Sequence, residues 1–165
     1  MFRFRFTSAF ALVGILMAGA AGAQVTDQKS LTLDGARQVA AAAAAEARCN
    51  NAGGAIAVVD AGGHLLYLER LDGTFAAAAP ISIEKARSAA VFQRDTAVFE
   101  DAVKSGRVSL VANKELLPLQ GGVVIMVGGQ VVGAVGVSGA NNAQQDEDIA
   151  KVAAAVFSNK MTKSQ

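Results

Sequence analysis

The spacing of apolar residues divides the chain into a short series of regular elements. From Leu33 to Cys49, Ala36, Val39, Ala40, Ala43 and Ala47 recur at helical spacing, with Thr32 placed to cap the start and Asn50, Asn51 and Gly53 to end it. The side this helix buries is nearly all alanine. That contributes little area per residue but lets another backbone come close, either a sheet or a neighbouring subunit. Two segments then repeat one design. Gly53-Gly54 leads into an apolar strand to Asp60, the turn Ala61-Gly62-Gly63 and a second strand His64 to Arg70; later Gly121-Gly122 leads into Val123 to Val127, the turn Gly128-Gly129 and Gln130 to Val137. Each reads as a β-hairpin, because paired glycines supply the positive φ of tight reversals between β-rich runs. A phosphate-binding glycine loop is the weaker reading, since such a loop opens a helix and these turns lead into strands.

Between the hairpins, Ser82 is placed to cap a helix carrying Ile83, Ala86, Ala89, Ala90 and Gln93. A break at Asp95-Thr96 starts a shorter one with Val98, Phe99, Ala102 and Val103, ending at Ser105-Gly106. Residues 107 to 120, with Pro118, show no period and read as a loop crossing the sheet. The last helix, Ala143 to Phe157, puts Ile149, Val152, Ala153, Val156 and Phe157 on one face. Asp146, Glu147 and Asp148 come early and Lys160 late, the charge order that suits a helix dipole. The series predicts an α/β domain, a mostly antiparallel sheet of two hairpins with helices packed on it. Residues 24 to 32 and 159 to 165 read as frayed tails.

Residues 1 to 23 have another logic. Arg3 and Arg5 precede an apolar stretch from Ala9 to Ala18 and small residues ending Ala21-Gly22-Ala23, the three regions of a secretory signal peptide. The apolar run is shorter than the roughly 18 to 20 residues that span a bilayer, so cleavage is expected rather than anchoring. Taking 23 residues from 165 leaves 142, enough for a single domain over 24–165, periplasmic or secreted, with no membrane span. The leader holds two of the 15 basic residues and no acid, so 13 basic face 14 acidic residues after cleavage. No basic stripe favours nucleic acid. Export permits disulfides, but Cys49 is the one cysteine, and its simplest reading is a thiol packed at a helix end.

With one histidine, two-histidine metal sites are excluded, and neither H-E-x-x-H nor G-x-S-x-G occurs. Asp146 with Glu147 or Asp148 is the nearest approach to a paired-carboxylate site, and an acidic first turn at a helix N-terminus explains it more simply. His64 starts a strand after two glycines, and two-residue alternation puts it on one face with Leu66, Leu68 and Arg70. If that face lines a pocket, the imidazole suits an iron in an apolar slot and Arg70 suits a propionate; if it faces solvent, His64 is a polar turn residue. Tyr67 and Met126 are further possible iron ligands, although a Met in an apolar strand and an aromatic between leucines are more often core.

Five blocks carry a resemblance. They are Val58-Val59-Asp60-Ala61-Gly62-Gly63-His64, Glu69-Arg70-Leu71-Asp72-Gly73, Ile81-Ser82-Ile83-Glu84-Lys85-Ala86-Arg87-Ser88-Ala89, Pro118-Leu119-Gln120-Gly121-Gly122-Val123 and Val132-Gly133-Ala134-Val135-Gly136-Val137-Ser138-Gly139. Together they resemble the haem-binding or haem-degrading family. It includes the accessory protein of glycolate-utilisation operons, an extracellular haem-binding partner of a sensor kinase, and the C-terminal domain of a propanediol-utilisation adenosyltransferase. The resemblance covers nearly all of residues 31 to 158. It implies a profilin-like α/β fold, homo-oligomers from dimers to octamers, and haem as cofactor in at least some members, with a histidine as axial ligand in one. His64 then becomes the candidate iron ligand, and Arg70 and Arg87 the candidate propionate partners. The Ala140-Asn141-Asn142-Ala143-Gln144 stretch departs from a glycine-rich family turn.

These readings lead to an exported haem-binding protein acting as carrier, buffer or sensor partner. Haem breakdown needs electrons and oxygen, and the chain shows no flavin or nicotinamide fingerprint, so a binder is expected before an enzyme. Two alternatives stand beside it. One is an enzyme or accessory factor acting on a small organic acid or aromatic, between the hairpins and residues 107 to 120. The other is a structural assembly module joined through the alanine-rich first helix.

Overall fold

The computed structural model describes residues 26–157; the expected leader and the tail 159 to 165 lie outside them. The elements run α1 (Leu33–Cys49), β1 (Ala55–Asp60), β2 (Leu65–Arg70), α2 (Ala78–Phe92), α3 (Ala97–Lys104), a 3-10 helix (Val108–Ala112), β3 (Gly122–Val127), β4 (Gln130–Ser138) and α4 (Ala143–Ala154). Both hairpins form. They join through β1 and β4 into one antiparallel sheet of order β2-β1-β4-β3, so the expected α/β layering is present.

The sheet divides the core in two. α1 and α4 cover one face, where Ile56, Ile125 and Ile149 are fully buried among Val39, Val58, Val135 and Val137. Each such side chain contributes about 1.5–3 kcal/mol. α2 covers the other face over Ala57, Val59 and Ala134, and its own contacts are Ala86, Ala89 and Ala90. It sits almost in backbone contact with the sheet. A Cβ on Gly136 would lie 2.1 Å from the Ser82 carbonyl oxygen, and one on Gly122 2.3 Å from that of Lys85.

Several expectations need correction. α2 starts a turn before Ser82, which is buried inside the helix and donates to the Ala79 carbonyl (2.8 Å); Ala77 occupies the cap position without a side-chain bond. Pro80 is accommodated because a first-turn N–H needs no helical partner. The stretch 107–120 is not loop throughout, since it holds the 3-10 helix. α4 ends at Ala154 rather than Phe157. Residues 31 and 32 are not frayed: Leu31 N–H donates to Val132 O (2.8 Å) and Thr32 Oγ1 caps Gly35 N–H (3.1 Å). Cys49 is exposed rather than packed. Among the described residues, one rim of the sheet is free along its length. At the β3 rim, Asp95 accepts from Val124 N–H (3.0 Å) and Thr96 exchanges bonds with Gly122, whereas β2 ends the sheet with no strand beside it among the described residues.

Candidate functional site

The first hairpin turn is built by one carboxylate. Asp60, at the end of β1, accepts from the backbone N–H groups of Gly62 and His64, both at 2.9 Å, the local bonding that makes Asp a turn residue. Both its oxygens also lie 3.3 Å from His64 Nδ1. A carboxylate there favours the proton on Nδ1 and leaves the Nε2 lone pair for another partner. That ring is 82% exposed. Gly63, at φ 82°, lets the turn close onto α2, where a Cβ would meet Val91 at 2.9 Å and the Arg87 stem at 3.1 Å. Arg87 pairs with Glu115 and, at 4.0 Å, with Glu84.

The alternation expected along β2 is interrupted. A bulge between Val58 and Val59 shifts the register, so Leu65 stands opposite Val59 and Leu68 opposite Ala57. Those partners face α2, so Leu65, Leu68 and Arg70 share that face. Leu66 instead packs into the α1 and α4 core beside Tyr67. Leu65 and Leu68 on this strand, and Val91 on α2, are exposed apolar side chains.

Of the residues picked from the sequence, Arg87 packs its stem against Gly63, the neighbour of His64 in the turn. Arg70 lies six residues along from His64, about 20 Å at extended-strand rise. Tyr67 is half-buried in the core on the α1 side, its hydroxyl donating to Glu69 at 3.5 Å. Met126 is exposed on β3, at the far side of the sheet from β2. The residue overlooked was Asp60, although a carboxylate four residues before a turn histidine is a legible signal.

A second polar centre lies midway along α2, at Lys85. Lys85 is 4% exposed; its ammonium donates to Val137 O and to Asp146 Oδ2, both at 2.9 Å. Asp146 Oδ1 accepts from Ala140 N–H (2.9 Å), and Glu147, also buried, accepts from Gly121 N–H (2.9 Å) and pairs with Lys151 (3.0 Å). The acidic start of α4 therefore anchors loops and a lysine as well as serving the helix end. Burial alone would raise the Glu100 carboxyl, but the Lys104 bond, the Gln120 N–H and the charges of Lys104 and Lys85 outweigh it and hold it below its ordinary value. A lowered folded-state value contributes stability above the unfolded value of about 4.3, lost as pH falls through the folded one. Glu100→Gln is therefore expected to lower the melting temperature at pH 7 and not at pH 2, where both proteins carry a neutral side chain. An equal deficit at both pH values would remove the charge from the explanation.

Among the described residues, no three His, Cys, Asp or Glu side chains gather as a metal site, and no helix is long and apolar enough to cross a membrane. With this geometry established, residues 31–155 match the family model described as haem degrading protein HbpS-like. The chain belongs to the HbpS-like family. Protein GlcG of Escherichia coli K12 is 49% identical over 103 residues, 62% of this chain and 77% of that protein. Klebsiella pneumoniae protein ORFY has the same fold, with a TM-score of 0.76 and 33% identity over 82% of this chain and 95% of ORFY. HbpS of Streptomyces reticuli, in a double-mutant form, gives 0.76 and 29% over 91% and 99%. Membership of the HbpS-like family ties the chain to haem-related function, as the resemblance implied.

Proposed function

We propose that this chain is an exported haem-binding protein, a carrier, buffer or sensor partner before an enzyme, with His64 as the axial ligand. The arrangement that carries the reading is the Asp60 carboxylate on His64 Nδ1, the partner that metal-ligating histidines typically have. Leu65, Leu68 and Val91 are exposed apolar side chains of the kind a porphyrin face would cover. Arg87 is placed to exchange a glutamate for a propionate. Arg70 serves a different position, too far along β2 to share a propionate with that iron. Bound haem supplies iron redox and oxygen chemistry; the chain's own residues hold and orient it. The leader sequence supports cleavage after Ala23, a single domain over 24–165 and residence in the periplasm or outside the cell. The open β2 rim supports self-assembly into dimers or larger rings.

Hemin titration followed by absorption spectroscopy tests the site. The protein is expected to give a saturable Soret shift that His64→Ala abolishes and Asp60→Asn weakens by about 10- to 100-fold. A saturable shift unchanged by His64→Ala would move the ligand elsewhere, and no saturable shift in the unmutated protein would end the haem reading.

A further inference from the structure

A cleft of about 300 Å³ opens where the start of α2, the 119–120 segment, the end of β4 and the start of α4 converge. It is separate from the His64 turn, which closes on the other end of α2. Its walls are apolar, formed by Phe75 (55% exposed), Ile81 and Leu119 (44% exposed). Its floor is the buried Lys85–Asp146 pair. An ammonium has three N–H donors, and two of Lys85's are used, by Val137 O and Asp146 Oδ2. Among the described residues the third finds no acceptor, although the side chain is 4% exposed and lines the cleft.

The opposite lip is rich in donors as well. Asn142 lies there and caps α4 by accepting from Gln145 N–H (2.9 Å). That leaves the N–H group of Ala143, which also lines the cleft, as a first-turn donor with no place in the helix ladder. The acidic groups nearby are already engaged. Asp146 takes Lys85 and Ala140 N–H, and Glu100 takes Lys104 and Gln120 N–H. The cleft therefore offers spare hydrogen-bond donors at one end and uncovered apolar side chains at the other. A ligand matching both ends has a carboxylate and an apolar body.

We infer that this cleft is a second binding site, for a small carboxylic acid with an aromatic or short apolar body. The carboxylate accepts from Lys85 Nζ and the Ala143 amide, and the body lies between Phe75 and Leu119. The Lys85–Asp146 pair gives the site a fixed donor without a net buried charge. Its position leaves haem free to occupy the His64 face at the same time.

Amide NMR titration of the full chain with benzoate, and with benzamide as the uncharged isostere, tests the inference. Benzoate is expected to bind saturably and shift Gly139, Ala143 and Gln144 while leaving Gly63 and His64 in place. Benzamide is expected to bind about tenfold more weakly, because it forfeits the charge-assisted bonds. Phe75→Ala and Leu119→Ala alter exposed side chains, and each is expected to weaken benzoate with little change in melting temperature. No saturable shift with benzoate, equal affinity for both probes, or shifts centred on the 60–64 turn would overturn the inference. The haem reading stands or falls separately, on the hemin titration.

Discussion

Gly136→Ala should cost about 3 kcal/mol or more and lower the melting temperature by roughly 10 °C, the largest stability loss expected from adding one methyl group to this chain. The added Cβ would sit 2.1 Å from the Ser82 carbonyl and 2.6 Å from the Ala86 nitrogen. Both are backbone atoms of α2, so relief requires moving the helix rather than rotating a side chain. Lifting α2 by even an ångström opens gaps above Ala57, Val59 and Ala134, where dispersion contacts fall off steeply. Gly129→Ala is the control. Its Cβ meets nothing within 4 Å, so it bears only the cost of a left-handed φ of 78°, about 1–2 kcal/mol. Equal losses for the two variants in chemical denaturation would mean that α2 does not rest on the glycine.

Lys85→Met should cost about 3–5 kcal/mol, the usual result of removing one partner from a buried ion pair. Met matches the stem of the lysine, so packing is largely kept. What remains is Asp146, its side chain 8% exposed, with the Ala140 N–H as its one retained donor. Pairing Lys85→Met with Asp146→Leu should recover part of the loss, because an apolar pair carries no uncompensated charge. Recovery stays incomplete, since Ala140 N–H and Val137 O lose acceptor and donor. A double-mutant cycle by denaturant unfolding measures the coupling. A single-mutant loss below about 1 kcal/mol would show that water satisfies Asp146 as well as Lys85 does.

Much of the architecture was legible because it rests on periodicity and glycine pairs. α1 runs from Leu33 to Cys49 as the alanine spacing predicted, and both hairpins turn at their expected glycines. What escaped was set by tertiary contact. The start of α2 carries no capping side chain, so the local sequence around Ala77 gives no mark of it, and Ser82 was read as the cap in its place. The short 3-10 helix at Val108–Ala112 spans too few residues to display a period, and none of them is buried. The β-bulge in the first hairpin has no local signature, yet it moves Leu66 to the opposite face from Leu68 and undoes the alternation on which the His64 face was drawn.

The candidate residues divide along the same line. His64 was readable as a singular residue at a glycine turn, and Arg87 through its block. That Arg87 reaches the turn at Gly63 depends on α2 lying against it, which spacing along the chain does not encode. Lys85 and Asp146 fell on helix positions otherwise filled by small or apolar residues. Charge at such positions marks a buried network, although it does not say which partner each residue finds.

The uneven rims of the sheet separate β2 from β3 in how fast their peptide protons trade with solvent deuterium. Those of Gly122 and Val124 are held by Thr96 and Asp95 and will open only with the junction between α2 and α3. The outward-pointing ones on β2 have no such holder among the described residues, so an isolated copy loses them first. Any slowing there as protein concentration rises would trace, residue by residue, the seam along which copies join.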